Sequence, residues 1–275
     1  MRSWAWRARH AEVVTPVINH RSMTRSPALS AAPLRLLSFN IQVGIRTTRY
    51  RQYVTNGWKH VLPHHDRARN LNHIADVVGD YDVVALQEVD GGSIRSGNVN
   101  QVEFVAHQAH FPYWYAQLNR NLGPIAQHGS GLLSRIRPLN LEDHKLPGAI
   151  PGRGAIVLRV PYAGVEVVIV LLHLSLGAGS RQVQLEYVSR LIAGEEHVIV
   201  MGDMNTSAVR LLQDSPLGAS VLQPAEEALP TYPAWRPQAS LDHILVSPNF
   251  LVNEYQVLDC DVSDHRPVAV SLSLH

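Results

Sequence analysis

The chain has 275 residues, 45% of them hydrophobic, and a formal net charge of +1. That length fits one large domain or two small ones with a sizeable core, and the near-neutral balance excludes a broadly basic nucleic-acid binder while leaving a local patch open. The single cysteine, Cys260, excludes an internal disulfide and a cysteine-rich zinc site, and no apolar run approaches the ~20 residues of a membrane span.

Residues 1–33 carry Arg2, Arg7, Arg9, Arg21 and Arg25 with Trp4 and Trp6. They lack the long apolar stretch of a secretory signal. The segment reads as a disordered basic tail, with a membrane-surface amphipathic segment as the other reading. A start at Met23 would remove its first 22 residues. The globular part is expected over residues 34–275 as a single domain, monomeric and cytoplasmic.

Residues 34–41 read as a first buried strand, with Asn40 near its end. A polar amide in such a run needs hydrogen bonds or a ligand. Residues 44–66 are irregular, basic and aromatic, suiting either phosphate contact with stacking or a surface insertion. Leu71, Ile74, Ala75 and Val78 give the stripe of a helix over residues 67–78, which Gly79 ends. Residues 82–89 form a near-continuous apolar run, hence a strand covered on both faces, with Glu88 where it leaves the core. A glycine-rich turn over 90–98, a helix over 99–110 and a strand over 113–118 follow. Residues 154–160 and 165–174 read as a hairpin whose second strand ends in His173. A helix over 180–193 should bury Val183, Tyr187, Val188 and Leu191; Arg181 in its first turn opposes the helix dipole and suits contact with an anion.

The next buried strand, 197–201, exits through Gly202 into Asp203 and Asn205, which would face one side of an extended chain. A short helix is expected over 207–213, a strand over 241–247 with Asp242 at its entry, and a last hairpin from 250–258 and 268–274. Asp264 and His265 sit on the loop feeding the final strand, where catalytic groups tend to lie, although a plain turn beside a surface histidine has the same look.

Asn40, Glu88, His173, Asp203, Asn205, Asp242, Asp264 and His265 therefore all fall at strand ends. Such oxygen ligands suit a hard cation, Mg2+ or Mn2+, and the acids and imidazoles suit activation of water and stabilisation of a phosphoryl group.

Taken in order, Ser38-Phe39-Asn40, Leu86-Gln87-Glu88-Val89, Gly129-Ser130-Gly131-Leu132-Leu133-Ser134-Arg135, His173-Leu174, Gly202-Asp203-Met204-Asn205, Leu241-Asp242-His243-Ile244 and Ser263-Asp264-His265-Arg266-Pro267-Val268 resemble the endonuclease/exonuclease/phosphatase superfamily. That group includes DNase I, exonuclease III-type nucleases, neutral sphingomyelinases and inositol polyphosphate 5-phosphatases, and the closest likeness is to bacterial members of unassigned substrate. The resemblance implies an α+β, DNase I-like fold: a four-layer αββα sandwich of two mixed β-sheets packed face to face. It implies a metal-dependent hydrolase of phosphate esters, with nucleic acid, phospholipid or a small molecule as substrate; an inactive binding or scaffold protein on the same fold is the alternative. By the same resemblance Asn40, Glu88 and Asp264 would hold the metal, with Asp264 able instead to orient His265, a general base or acid. Asp203 and Asn205 would position and activate water. His173 would stabilise the pentacovalent phosphorus, oriented by Asp242, and Arg120 and Arg181 would contact phosphate.

Overall fold

The computed structural model describes residues 32–45, 66–148, 151–220, 222–226 and 229–275. The N-terminal tail up to residue 31 and most of the basic aromatic stretch, 46–65, lie outside the described residues.

Two six-stranded mixed sheets form the centre. In the first the order is β11 (Phe250–Val257), β12 (Val268–Leu274), β1 (Leu34–Asn40), β2 (Val83–Asp90), β4 (Gln127–Ser134), β3 (Tyr113–Asn121). In the second it is β5 (Asn140–Lys145), β6 (Gly154–Tyr162), β7 (Val165–His173), β8 (Val198–Asp203), β10 (Asp242–Val246), β9 (Gln223–Pro224). The half-exposed polar strand β5 is one that its composition does not announce. Each sheet contains one parallel pair, β1 with β2 and β7 with β8. Their crossovers run through α1 (Asp66–Val78) and α3 (Ala178–Leu191), as parallel neighbours require.

Period-two alternation divides the apolar residues between faces. Leu34, Leu36, Val83 and Ala85 of the first sheet meet Ile169, Leu171, Ile199, Met201 and Ile244 of the second. The outer face of the first sheet, with Leu37, Phe39, Val84 and Leu86, packs on α1 and on α2 (Gln101–Gln108). The outer face of the second packs on α3 and on α4 (Ala208–Gln213). The expected four-layer αββα sandwich is therefore the observed one. Helix α2 starts where Asn100 Oδ1 accepts the backbone N–H groups of Val102 and Glu103. Helix α3 buries Val188 as expected, with Tyr187 and Leu191 partly buried against the same cluster, but departs from the expected stripe at Val183. Gln184, Leu185 and Val188 face inward while Val183 is 45% exposed, because Gln184 is held by hydrogen bonds to Ser175.

The same alternation sets the site. Asn40 is in phase with Leu34 and Leu36, His173 with Ile169 and Leu171, Asp203 with Ile199 and Met201, and Asp242 with Ile244. All four side chains are directed between the sheets, and all sit where the inter-sheet core reaches its edge. Strand β2 runs one residue past the expected 82–89 stretch, to Asp90, so Glu88 lies within it and not at its exit. The pairing with β4 shifts between Gln87 and Val89, and Glu88 takes φ 55° at this bulge. Gly202 has φ 150°, and a Cβ there would lie 1.9 Å from the Leu172 carbonyl oxygen.

The turn after β2 is organised by buried Asp90. Its carboxylate accepts from the backbone of Gly92, Ser93 and Gln127, from the hydroxyls of Ser93 and Ser96, and from the buried Arg95 guanidinium. Burial alone would raise its pKa; the donors from Ser93, Arg95 and Gly92 outweigh that and hold it at about 2, against an ordinary 3.8. A carboxyl depressed on folding stabilises the fold above its unfolded pKa and loses that contribution as pH falls through the folded value. We therefore expect about 2 kcal/mol of stability to disappear between roughly pH 4 and pH 2, and Asp90→Ala to abolish that acid dependence while costing about 3–5 kcal/mol through the stranded Arg95 charge. Urea unfolding across this pH range checks both, and an acid limb unchanged in the variant would refute the assignment. Gly202→Ala should destabilise by at least about 3 kcal/mol, since no rotamer relieves a contact between Cβ and backbone; wild-type stability would contradict the close approach of β7 and β8.

Candidate active site

The ladder puts Asp203 at the centre, opposite both His173 on β7 and Asp242 on β10. Its Oδ2 accepts from the Asn40 side-chain amide at 3.0 Å and lies 3.4 Å from His173 Nε2 and 4.0 Å from His265 Nε2. Its Oδ1 accepts from the backbone N–H of Asn205 at 3.0 Å. Asn205 turns with φ 50° and sends its side-chain amide to the Leu174 carbonyl. Asp203 and Asn205 thus do not share one face as extended neighbours would; the chain curls so that Asn205 holds the carboxylate from behind.

His265 arrives from the loop before β12, which is tied to the end of β1 by the Ser263 hydroxyl donating to the Asn40 carbonyl at 2.6 Å. Its Nδ1 is 2.8 Å from Asp242 Oδ2, which also accepts from the Thr231 hydroxyl at 2.6 Å. The Tyr232 ring packs on the imidazole with centroids 4.9 Å apart. The expected pairing of Asp242 with His173 is therefore not the one formed. Asp242 is directed at His265, because the loop before β12 crosses the entry of β10, and His173 instead meets Asp203 and Arg153. The Arg153 Nη1 lies 2.7 Å from both ring nitrogens of His173.

Glu88 is half-buried at its bulge, hydrogen-bonded by the Asn40 amide. Asn40 Oδ1 accepts from Gln42 N at 3.1 Å, which leaves that oxygen one lone pair. The chain then turns through Gln42 and Val43, both at positive φ, and Arg67 Nε and Gln101 Nε2 hold the Val43 carbonyl.

The electrostatics follow from burial. Desolvation, with Asp242 and Glu88 adding, raises Asp203 to about 7 against the pull of His265 and Asn40. Desolvation works against charge on His265, but Asp242, Asp203 and Asp264 outweigh it and hold the imidazole well above its ordinary range. Desolvation, Arg153 and His265 push His173 well below it, so this ring is neutral. Glu88 is raised by desolvation and then by Asp264.

Asn40, Glu88, His173, Asp203, Asp242, Asp264 and His265 are thus brought together, with Asn205 behind Asp203. Arg181 is not among them: its guanidinium is held at the start of α3 by the carbonyls of Ser175 and Leu176. Arg120 is exposed on β3, flanking the site. Sequence reasoning missed Arg153, Thr231 and Ser263. Arg153 had a signal, since Gly152-Arg153-Gly154 opens a buried strand antiparallel to β7 and so must start where β7 ends.

The sequence profile of the endonuclease/exonuclease/phosphatase family matches residues 37–265. Among curated proteins no sequence match is found. Among solved structures the chain is similar to an endonuclease/exonuclease/phosphatase family protein from Bacteroides thetaiotaomicron, with TM-score 0.68 and 18% identity over 90% of this chain and 100% of that one. It is similar to a mannosyl-6-phosphatase of Bacteroides thetaiotaomicron VPI-5482, with TM-score 0.65 and 18% identity over 88% of this chain and 100% of that one. It is also similar to D. rerio TDP2 complexed with a single-strand DNA product, with TM-score 0.60 and 17% identity over 88% of this chain and 99% of that one. At these identities the structural likeness shows the shared fold, and together with the profile match it establishes that the chain belongs to the endonuclease/exonuclease/phosphatase family.

Proposed function

We propose that the chain hydrolyses phosphate esters with the help of a divalent cation, Mg2+ or Mn2+. The observation that carries this reading is the crowding of carboxylates around Asp203. Among the described residues, Glu88, Asp203, Asp242 and Asp264 crowd together with His265 and Arg153 as the cationic groups that act on Glu88 and Asp203, so full ionisation of these six leaves a deficit of two positive charges. Asp264 raises Glu88, and a cation between them would remove that repulsion. The donors are oxygens, as Mg2+ and Mn2+ prefer. Glu88, Asp264 and the free lone pair of Asn40 Oδ1 would hold it.

Asp203, Asp242 and His265 also offer three ligand atoms within 4.8 Å of one another. We favour the Glu88 side, because His265 Nδ1 and Asp242 Oδ2 already hold each other and Thr231 takes the same oxygen.

A bound cation would polarise the phosphoryl group and offset its charge. Asp203, with its pKa raised to about 7, takes the proton of the attacking water as the new bond to phosphorus forms and the ester bond breaks, and the leaving oxygen departs with the bonding pair and takes a proton from solvent. Asn40 and the Asn205 N–H fix its carboxylate. Charged His265, held by Asp242, and Arg153 donate to the phosphoryl oxygens, where negative charge grows. Neutral His173 stands beside Asp203 as a further donor. The names of the similar structures mention a sugar phosphate and a DNA strand, and this chemistry serves either kind of ester.

Purified protein should cleave p-nitrophenyl phosphate or bis(p-nitrophenyl) phosphate in Mg2+ and stop in EDTA. Glu88→Gln and His265→Ala should each lower kcat by more than about 100-fold. Inactivity on these esters, on plasmid DNA and on phospholipids would favour a binding protein, and unchanged variant rates would sink the site assignment. Asp242→Asn removes the carboxylate that keeps His265 charged, so the alkaline limb of kcat/KM should move to lower pH by about one unit or more. An unmoved limb would show that His265 does not act in its charged form.

A further inference from the structure

The corner of the first sheet beside Glu88 holds groups that this reaction does not use. Asp90 pairs with His128 across β2 and β4, and His128 with Arg120 across β4 and β3, so the three stand side by side at the edge that carries the site. Asp90 is fully engaged by its own turn. Arg95 Nη1 lies 3.3 Å from His128 Nε2. A guanidinium can only donate, so Nε2 accepts and the imidazole proton sits on Nδ1. The other terminal nitrogen of Arg95, Nη2, is buried without a partner. Arg120 is exposed and pairs with no acidic side chain among the described residues; its stem runs along Gly152, next to Arg153. Burial, Arg95, Arg120 and Arg153, against Asp90, hold His128 at about 4, so its ring is a neutral donor. The corner thus collects donors and positive charge, and Asp90, the carboxylate that stands among them, is already saturated.

We propose that Arg120 and His128 form a second anion subsite, with buried Arg95 behind them fixing the His128 tautomer, and that the substrate carries a second phosphate next to the ester that is cleaved. A planar guanidinium and an N–H donor suit the bidentate recognition of phosphate oxygens. The proposal rests on the phosphoesterase reading only for the statement that the neighbouring phosphate is the one cleaved. A phosphorylated sugar and a nucleic-acid strand share this chemistry, and paired ligands separate them.

Calorimetry in EDTA would compare fructose 1,6-bisphosphate with fructose 6-phosphate, and a thymidine dinucleotide with and without a 5′-phosphate. In at least one pair the member with the extra phosphate should bind roughly tenfold tighter or more. Arg120→Ala and His128→Gln, the latter keeping an acceptor for Arg95, should each remove that preference at unchanged melting temperature. Preference in the sugar pair alone points to a small molecule, and in the dinucleotide pair alone to a strand. No preference in either pair, no binding of any ligand, or a preference surviving in both variants overturns the subsite. A preference lost in the variants, in a protein that cleaves no ester in Mg2+, would leave the subsite standing and remove the hydrolase reading instead.

Discussion

Everything at the active edge depends on strand register around Asp203. Three strands, β7, β8 and β10, place His173, Asp203 and Asp242 directly opposite one another. Because side chains alternate with period two, a slip of one residue in any of them would move one of these polar side chains to the outer face, among the residues packed on α3. The register is defended by the inter-sheet core, where Ile169, Leu171, Ile199, Met201 and Ile244 would be exposed to the wrong layer by the same slip. Apolar packing in the interior and polar placement at the edge are one constraint read at two points along each strand.

Keeping so many polar groups buried requires that most be answered locally. Asp242 has Thr231 and His265, Asp203 has Asn40 and the Asn205 N–H, and Asp90 has a complete set of donors. Glu88 is poorly answered, with the Asn40 amide as its hydrogen bond among the described residues and Asp264 as an adverse neighbour, and Asp242 Oδ1 and Arg95 Nη2 have no partner there. The backbone is strained at the same places. Gln42, Val43, Glu88 and Asn205 all take positive φ, which costs about 1–3 kcal/mol per residue in side chains of this kind. The Val43 carbonyl is gripped from α1 and α2, and Asn205 is gripped by Leu174 and Asp203, so the strain is held by the helices on the first sheet in one case and by the end of the second sheet in the other.

Much of this was legible before any coordinates. Apolar runs ending in Asn40, His173 and Asp203 are strands whose polar last residue continues the inward phase, and period two reveals that without a fold. What was not legible depends on partners far apart in the chain. The bulge that aims Glu88 exists only relative to β4, and no pattern within 83–90 announces it. That Asp242 meets His265 and not His173 follows from where the loop before β12 crosses, a contact spanning 23 residues between two strands of different sheets. Val183 was expected inside helix α3 because hydrophobicity outranks a glutamine, yet Gln184 is the buried residue because Ser175 offers it both a donor and an acceptor.

The division between what the fold fixes and what it leaves free explains why a family is recognised here before a substrate. Asn40, His173, Asp203 and Asp242 lie in phase with the core between the sheets, so any chain that packs this sandwich and keeps these strand ends polar will gather them. The donors of the basic corner answer to different constraints. His128 and Arg120 come from the β3–β4 hairpin, and Arg95 from the turn built on Asp90. β4 and β3 contribute Leu132 and Tyr115 to the inter-sheet core, but Arg95, Arg120 and His128 lie beyond it, so these three can change while the core stays intact. Structures with under one fifth of their residues identical to this chain can therefore share the sandwich and diverge in the ester they recognise. If the proposed hydrolysis and subsite hold, the chemistry at phosphorus would be inherited from strand parity and selectivity would be written in a hairpin and a turn, where a single exposed arginine can be exchanged at little cost to stability.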